Sequence, residues 1–348
     1  MYINNQLYID DVERLAALDL PWSTLDGKNI LITGATGMIG TTLVDVLMRK
    51  GLNKIFAAGR KKAAADARFA DYLNDDRFEF VSMDVNALNV DEFSERLKVD
   101  VIIHAASNTH PVQYATDPVG SIMSNILGTY NLLELGRRLE IDRFVFVSSV
   151  EIYGQARGDD DFDEKYCGYI DCNSLRAGYP EGKRAGEALC NAYIGKFGLD
   201  VVIPRLSRCY GPTMRLDDSK AMSQFLMNGV KREDIVLKSE GLPRFSYCYS
   251  SDAVGGLLYC LLKGAKGEAY NVSDSSEIMS LREIAEYIAA ISDRKVVFEL
   301  PDAIQRAGFS KVVKGVMLND KLRALGWEPH DDTRSGVKKT IEILRSIA

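Results

Sequence analysis

The sequence has little that would suit a metal site or a disulfide framework. Its 348 residues include three histidines and six cysteines, and no two cysteines stand in a Cys-x-x-Cys pair. Scattered thiols of this kind are typical of proteins in a reducing compartment, and they rarely build zinc sites. We therefore expect no bound metal, no disulfide framework and a cytoplasmic location.

Long apolar runs and an excess of positive charge are also lacking. No stretch approaches the roughly 18 apolar residues of a membrane span. The beginning, "MYINNQLYIDDVERLAAL", carries acids and has no basic segment followed by an apolar run, so we expect no signal peptide there. The formal net charge is −6, without a dominant basic patch. Neither a membrane nor a nucleic acid is an expected partner.

What the sequence does contain is a regular alternation of short apolar runs and helical patterns. The apolar runs are typical of strands buried on both faces: "NILITG", "KIFAAG", "FEFVSMD", "VDVIIHAA", "RFVFVSS" and "LDVVIPR". Helical periodicity falls between them, over 38–50, 87–97, 117–139 and 180–197. Strands that alternate with helices predict a parallel, doubly wound α/β sheet.

The alternation becomes less regular after about residue 206. We predict a dinucleotide-binding domain over 1–206, which includes a short amphipathic helix within 1–25, and a smaller α/β lobe over 207–348. Two lobes of this kind would meet along a cleft, and clefts between lobes are where ligands usually bind.

A glycine-rich turn follows the first predicted strand, in "LITGATGMIGTTLVDVL". Gly34 would permit the tight turn, Gly37 would let the backbone approach a diphosphate, and Gly40 would let the helix pack close to the sheet. The turn therefore predicts a Rossmann-type dinucleotide site. Its expected cofactor contacts are Gly34, Thr36, Gly37, Met38, Ile39 and Gly40.

The second strand ends in "AAGRKK", where folds that bind NAD usually have Asp or Glu. A guanidinium at Arg60 would suit the 2′-phosphate of NADP, although the three basic residues could equally form a solvated loop. We expect NADP or NAD, with a preference for NADP. Asp84, at the end of the third strand, is placed to accept a hydrogen bond from the adenine amino group, and Val85 follows it.

A tyrosine and a lysine stand four residues apart in "YPEGK", at Tyr179 and Lys183. On a helix they would share one face, but such pairs are common on exposed helices. A phenol, with a pKa near 10, is a poor base at neutral pH. A nearby ammonium and a positive nicotinamide ring would lower that pKa and make Tyr179 useful as a base.

The glycine turn and the YxxxK pair together resemble the extended short-chain dehydrogenase/reductase family, the NAD-dependent epimerases and dehydratases. Further segments match that family in the right order: "HAAS", "NILGTYNLLE", "FVSSVEIYG", "PRLSRCYGP" and "RFSYCYSSDAVGGL". The resemblance covers nearly the whole chain. It implies a nucleotide-sugar enzyme and, through the helices over 117–139 and from 180, a homodimer.

The resemblance also implies roles for individual residues. Tyr179 would act as the base, Lys183 would tune it and hold the nicotinamide ribose, and Ser149 would donate a hydrogen bond to the same substrate oxygen. The segment bordering the nicotinamide ribose would be Ala105, Ala106 and Ser107.

Glu151, in "SSVEIYG", should choose among the reactions of this family. Simple 4-epimerases usually have a small residue there, whereas 4,6-dehydratases and nucleotide-sugar decarboxylases have Glu. The aspartate that most dehydratases place before it is Val150 here, so no general acid for water loss is visible. A carboxylate at Glu151 could take a C5 proton or assist loss of the C6 group.

The local match is best to UDP-glucuronate decarboxylases, through "RAGYPEGKRAGEALCNAY" and "SEGLPRFSYCYSSDAVGGL", with Arg244 at the family's arginine position. Where these relatives have the motif Asn-x-x-Gly-Pro followed by Arg, this chain has "RCYGPT". Arg208 therefore replaces the asparagine, and it could hold a diphosphate or a substrate carboxylate, or mean a different sugar. Thr213 replaces the arginine. Ser149, Glu151, Arg208 and Arg244 are the expected substrate contacts.

We therefore expect an enzyme that oxidises a UDP-linked sugar transiently at C4, with a decarboxylase preferred and a 4,6-dehydratase or 4-epimerase as alternatives. A dinucleotide-sensing regulator on the same fold is a remote alternative, because such proteins typically lose the tyrosine or the lysine.

Overall fold

A large parallel sheet and a smaller lobe make up the computed structural model, which describes residues 2–109, 114, 116–301 and 313–347. The strands are β1 (Asn29–Thr33), β2 (Lys54–Gly59), β3 (Phe78–Ser82), β4 (Val101–His104), β5 (Arg143–Phe146), β6 (Ser148–Ser149), β7 (Val201–Leu206), β8 (Arg208–Tyr210), β9 (Ile235–Leu237), β10 (Arg244–Tyr249), β11 (Ala269–Val272), β12 (Asp274–Ser280), β13 (Val296–Phe298) and β14 (Lys314–Gly315). The helices are α1 (Gln6–Ala16), α2 (Met38–Leu47), α3 (Lys62–Arg68), α4 (Val90–Arg96), α5 (Pro118–Arg138), α6 (Gly178–Phe197), α7 (Ala221–Lys231), α8 (Ser250–Lys263), α9 (Leu281–Ser292), α10 (Asp320–Arg323) and α11 (Thr333–Ile347). None of these helices combines the length and apolar composition needed to cross a bilayer.

The large sheet has the strand order β11-β7-β5-β4-β1-β2-β3, and β6 also pairs with β7. These neighbours are parallel. Parallel strands need crossover connections, and α2, α5 and α6 are among the helices that supply them. The predicted Rossmann-type doubly wound fold is confirmed.

Strand β1 shows why the apolar runs lack alternation. Ile30 and Ile32 enter one apolar core while Leu31 enters the other, on the opposite face of the sheet. All three side chains are fully buried. Because successive strand residues point to opposite faces, a sheet with helices on both sides needs apolar residues at every position.

The smaller lobe contains a second sheet with the order β12-β10-β14, in which β8 also pairs with β10, and a two-stranded sheet of β9 and β13. Helices α7, α9 and α11 contribute to its separate apolar core. The predicted boundary at residue 206 coincides with the end of β7, and the division into 1–206 and 207–348 stays a prediction. Residues beyond 206 also return to the large sheet as β11 and, packed against β7, as α8.

Two helices differ from the sequence prediction near the beginning of the chain. The amphipathic helix expected within 1–25 ends at Ala16, and a 3₁₀ turn follows at Trp22–Leu25. The basic segment after Arg60, considered as a solvated loop, continues into α3. There Lys62 is paired one turn away with Asp66. Seven residues with one buried side chain, Ala65, carry too weak a periodic signal to predict a helix.

Gly40 should be intolerant of any side chain, because a Cβ there would lie 2.4 Å from the carbonyl oxygen of Gly34. We expect Gly40→Ala to lower the free energy of unfolding by about 1–3 kcal/mol, as overpacking does. The matched control is Gly195→Ala on α6, where a Cβ would meet nothing within 4 Å. That control should gain up to about 1 kcal/mol from helix propensity. Denaturant titration measures both, and equal effects would contradict the close approach.

Candidate active site

The glycine turn between β1 and α2 abuts the turn after β4. Gly34 has a φ of 71°, and a Cβ there would lie 2.8 Å from backbone atoms of Ala105 and Ala106. The backbone N–H of Ala106 donates to Thr33 Oγ1 at 3.3 Å. The two turns therefore place Ala105, Ala106 and Ser107 beside the glycine turn.

The turn has the chemistry that a dinucleotide diphosphate needs. Helix α2 begins after Gly37, and no side chain of the described residues caps its first N–H groups. Thr36, Gly37, Met38 and Ile39 are only half-buried, whereas Gly40 is buried against the turn. Because the N-terminus of a helix favours anions, the residues present fit the phosphates of a nicotinamide dinucleotide.

The ends of β2 and β3 lie along the same edge of the sheet as the glycine turn. Arg60 directly follows β2 and is exposed. A side chain on the last residue of β2 would lie 3.8 Å from Thr36 Oγ1, so this strand end borders the turn. Asp84 follows β3, is exposed, and accepts a hydrogen bond from the N–H of Asn86 at 3.0 Å, which caps a short turn beginning at Val85. These positions suit the adenosine half of a dinucleotide.

Tyr179 and Lys183 lie one turn apart near the beginning of α6, and both side chains are buried. Lys183 Nζ donates to the carbonyl oxygen of Val147 at 2.8 Å and lies 4.8 Å from the centre of the Phe146 ring. The pair therefore faces the carboxyl end of β5. Burial lowers the pKa of Lys183 to about 8, against an opposing effect of Glu187.

The pKa of Tyr179 differs from the sequence expectation. Burial raises it to about 12, hydrogen bonding by Ser149 lowers it, and the charge of Glu151 raises it further. We predicted that Lys183 and a nicotinamide ring would lower the pKa of Tyr179. In the protein without a cofactor this pKa is raised instead, because burial is the largest effect on it. Tuning of Tyr179 by a bound cofactor stays a prediction.

Glu151 is held by two arginines. Arg176 donates to both carboxylate oxygens, at 2.8 and 3.1 Å, and the nearest nitrogen of Arg208 lies 3.8 Å away. The backbone N–H of Glu151 donates to Ser149 Oγ at 3.3 Å, which keeps Glu151 beside that hydroxyl. Burial alone would raise the pKa of Glu151, but Arg176 and then Arg208 lower it to about 2. The carboxylate is therefore ionised throughout the physiological pH range.

Arg208 adds positive charge beside Glu151, and the single carboxylate does not fully neutralise this charge. Its guanidinium stacks 3.7 Å from the centre of the Phe245 ring, and about a third of the side chain is exposed (31%). Within the described residues its buried Nε has no hydrogen-bond partner. Two arginines and one carboxylate leave a net positive charge at this position, which favours an anionic ligand group.

Arg244 is not brought to this cluster. It lies at the start of β10, where its side chain donates to the carbonyl oxygen of Ile278 at 2.6 Å and pairs with Glu283 at 3.2 Å. Successive strand residues point to opposite faces, and the next residue, Phe245, is the one that contacts Arg208. A role for Arg244 in substrate binding stays a prediction.

Two residues of the site were missed from the sequence. The ring of Tyr114 stacks on Tyr179, with centres 5.1 Å apart, and Arg176 lies 5.7 Å from the centre of the Tyr114 ring. Arg176 stands three residues before Tyr179 in "RAGYPEGK", so its place near the site could have been foreseen. Tyr114 gave no local signal.

Cysteines and metal ligands are not part of this site. All six cysteines are free, with Cys167 and Cys172 exposed and Cys190, Cys248 and Cys260 buried. Among the residues that the structure describes, no group of three or more His, Cys, Asp or Glu side chains is arranged to hold a metal ion.

Comparisons with known proteins agree with this geometry. Residues 30–273 match the NAD dependent epimerase/dehydratase family. UDP-glucuronic acid decarboxylase 6 of Arabidopsis thaliana is 30% identical over 314 residues, which cover 88% of this chain and 86% of the relative. UDP-glucuronic acid decarboxylase 1 of Xenopus tropicalis is 29% identical over 93% of this chain and 73% of its own length.

A solved structure shares the fold. The UDP-glucose 4-epimerase of Thermus thermophilus, in complex with NAD, aligns with a TM-score of 0.79 at 22% identity and covers 92% of this chain and 100% of its own. The resemblance stated from the sequence is thus confirmed, and the chain belongs to the NAD dependent epimerase/dehydratase family.

Proposed function

We propose that this chain decarboxylates a nucleotide-linked uronic acid, with UDP-glucuronate the expected substrate, through transient oxidation at C4. The observation that carries the proposal is the Glu151 carboxylate held between Arg176 and Arg208, two residues after Ser149. The curated relatives named as UDP-glucuronic acid decarboxylases support it independently.

The Glu151 cluster distinguishes among the family's reactions. A dehydratase needs a base for the C5 proton. Both oxygens of Glu151 already accept hydrogen bonds from Arg176, so this carboxylate is poorly placed to take that proton. Loss of carbon dioxide from a 4-keto uronic acid needs no base at C5, because the departing carboxylate leaves its electron pair behind. The excess positive charge beside Glu151 also suits a substrate that carries a carboxylate of its own, as a uronic acid does at C6.

The chain's own residues would act on the oxygen at C4. The glycine turn at Gly34, Gly37 and Gly40 would hold a nicotinamide dinucleotide, and the chemistry that this group would supply is reversible hydride transfer at C4. Tyr179 would accept the hydroxyl proton, and Ser149 would hydrogen-bond the same oxygen. When the C5–C6 bond breaks, the electron pair moves to the C4 oxygen, where Tyr179 and Ser149 would hold the negative charge. Carbon dioxide leaves as that bond breaks, and C5 then takes a proton from solvent water. The proton held by Tyr179 returns to the C4 oxygen when C4 is reduced again.

Product mass tests the proposal directly. The purified protein is incubated with UDP-glucuronate, UDP-glucose and dTDP-glucose in separate reactions, each with NAD and with NADP. We expect a UDP-pentose and carbon dioxide from UDP-glucuronate alone. A product of unchanged mass would establish a 4-epimerase, loss of water a dehydratase, and no turnover of this panel would contradict the decarboxylase.

We propose that the cofactor is NADP rather than NAD, on the exposed position of Arg60 at the end of β2. Arg60→Ala should narrow the difference between NADP and NAD affinities by about 1–3 kcal/mol, the range for a hydrogen bond to a charged group. Lys62→Ala is the matched control, since it removes the same charge from a side chain already paired with Asp66. Calorimetry that shows tighter NAD binding in the parent protein would refute the preference.

We propose a homodimer that forms through the exposed side of α5. Val119, Met123 and Tyr130 expose 69%, 39% and 45% of their surface there, which is unusual for apolar side chains along one helix. Light scattering should give the mass of a dimer for the parent and the mass of a monomer for Met123→Glu, which places a charge on this side of α5. A monomeric parent would contradict the dimer.

We propose a cytoplasmic location, supported by the scattered free cysteines, two of which are exposed. Fractionation of the native host with an antibody to this chain tests it. Recovery in an oxidising compartment would contradict it.

A further inference from the structure

The side chain of Arg176 lies between the Glu151 carboxylate and the Tyr114 ring that stacks on Tyr179. It lies in a short turn at Leu175–Ala177 that leads into α6, and only 16% of the side chain is exposed. Its guanidinium carbon lies 5.7 Å from the centre of the Tyr114 ring, and that ring is stacked on Tyr179. Two of its N–H groups donate to the carboxylate oxygens of Glu151. We propose that Arg176 is a positioning residue that fixes the orientation and charge of Glu151 for the reaction after C4 oxidation.

The geometry of the pair supports this role. A two-pronged contact between guanidinium and carboxylate fixes the plane as well as the position of the carboxylate, which a single ammonium cannot do. Arg208 approaches the same carboxylate only to 3.8 Å and is stacked on Phe245, so it adds charge more than orientation. Orientation of Glu151 therefore depends chiefly on Arg176.

The charge of Glu151 depends on the same contact. Among the residues that the structure describes, Arg176 and Arg208 are the charged groups that act on its pKa, and Tyr114 and Tyr179 are the titratable groups whose own pKa its charge raises. Burial raises the pKa of Glu151, and Arg176 is the largest effect that lowers it. Without Arg176, Arg208 would be the one remaining arginine beside the carboxylate among the described residues, and burial would raise the pKa of Glu151 toward the range in which activity is measured.

A merely structural arginine is available on α6 for comparison. Arg184 donates to the carbonyl oxygens of Ile152 at 2.7 Å and Gly168 at 2.8 Å, and so fastens the loop after Glu151 to the helix. Loss of Arg184 should destabilise the fold without acting on the Glu151 carboxylate. It therefore serves as the matched control for charge, size and location.

The experiment compares Arg176→Met, Arg176→Lys, Glu151→Gln, the double variant Arg176→Met/Glu151→Gln, and Arg184→Met. Product formation by the folded proteins is measured from about pH 5 to pH 9, with thermal melting to confirm folding. The proposal rests on the proposed function only for the identity of the product. Turnover is followed whatever the product mass proves to be, so failure of the decarboxylase assignment is visible separately in the parent protein.

We expect Arg176→Met to lose turnover by a factor on the order of 10–100 at neutral pH, with partial rescue in Arg176→Lys. Turnover of Arg176→Met should fall further as the pH falls, because Glu151 is active as the carboxylate and its raised pKa enters the assay range. The parent, with a Glu151 pKa of about 2, should show no such limb from this residue. The double variant should lose hardly more than Glu151→Gln.

Three outcomes would overturn the proposal. They are losses that multiply in the double variant, an unchanged pH profile in Arg176→Met, and the same new acidic limb in Arg184→Met. Each would mean that Arg176 supports the fold or binds substrate without acting through Glu151.

Discussion

Turnover should fall by roughly 100-fold or more in Tyr179→Phe, while cofactor binding stays intact, as loss of a positioned acid–base group produces. The ring that stacks on Tyr114 is kept in this variant, and only the hydroxyl that Ser149 contacts is lost. Stopped-flow absorbance of cofactor reduction, together with product formation, measures the effect.

Tyr193→Phe is the matched control for Tyr179→Phe. Tyr193 is a second buried phenol on α6, but its hydroxyl bonds Glu134, on α5. We expect its turnover to stay near that of the parent. Near-normal turnover in folded Tyr179→Phe would remove Tyr179 from the chemistry.

The second large effect is expected at Glu151, and it affects a later step. Glu151→Gln keeps the size of the side chain but removes the charge that Arg176 and Arg208 hold. We expect the variant to reduce the bound cofactor on mixing with substrate and then to stall before the second half of the cycle. Rapid-quench product analysis beside cofactor absorbance separates the two halves.

Glu134→Gln controls for loss of a carboxylate paired with an arginine, since Glu134 is bonded to Arg137 on the outer part of α5. It should leave both halves of the cycle unchanged. A fully active Glu151→Gln together with a product of unchanged mass would rule out the decarboxylase and support a plain 4-epimerase.

Local sequence signals predicted the fold and the neighbourhood of the site. The apolar run of β2 coincides with its predicted bounds at 54–59, and the helix predicted over 117–139 is α5, Pro118–Arg138. A turn that needs glycine at Gly34 is visible because the chain itself has to bend there. The YxxxK spacing likewise works within one helix. Such features depend on residues close in sequence.

Contacts between distant segments could not be predicted in the same way. Arg176 and Glu151 are 25 residues apart, and their pairing depends on how the turn before α6 meets the end of β6. Arg208 was expected among the substrate contacts and lies beside Glu151, whereas Arg244 does not, because the register of β8 on β10 turns Phe245 toward Arg208. The pKa of Tyr179 rises through burial, which only the folded chain determines.

The return of α8 and β11 to the large sheet limits how the predicted cleft between the large sheet and the smaller lobe can open. Within the described residues, three short passages join the large sheet and its helices to the second sheet: from β7 to β8, from β10 to α8, and from β11 to β12. Each passage has at most one residue between the elements it joins. Three short tethers side by side resist bending about a single hinge, so substrate entry should depend on local displacement of the cleft's rim rather than on a wide swing of one lobe.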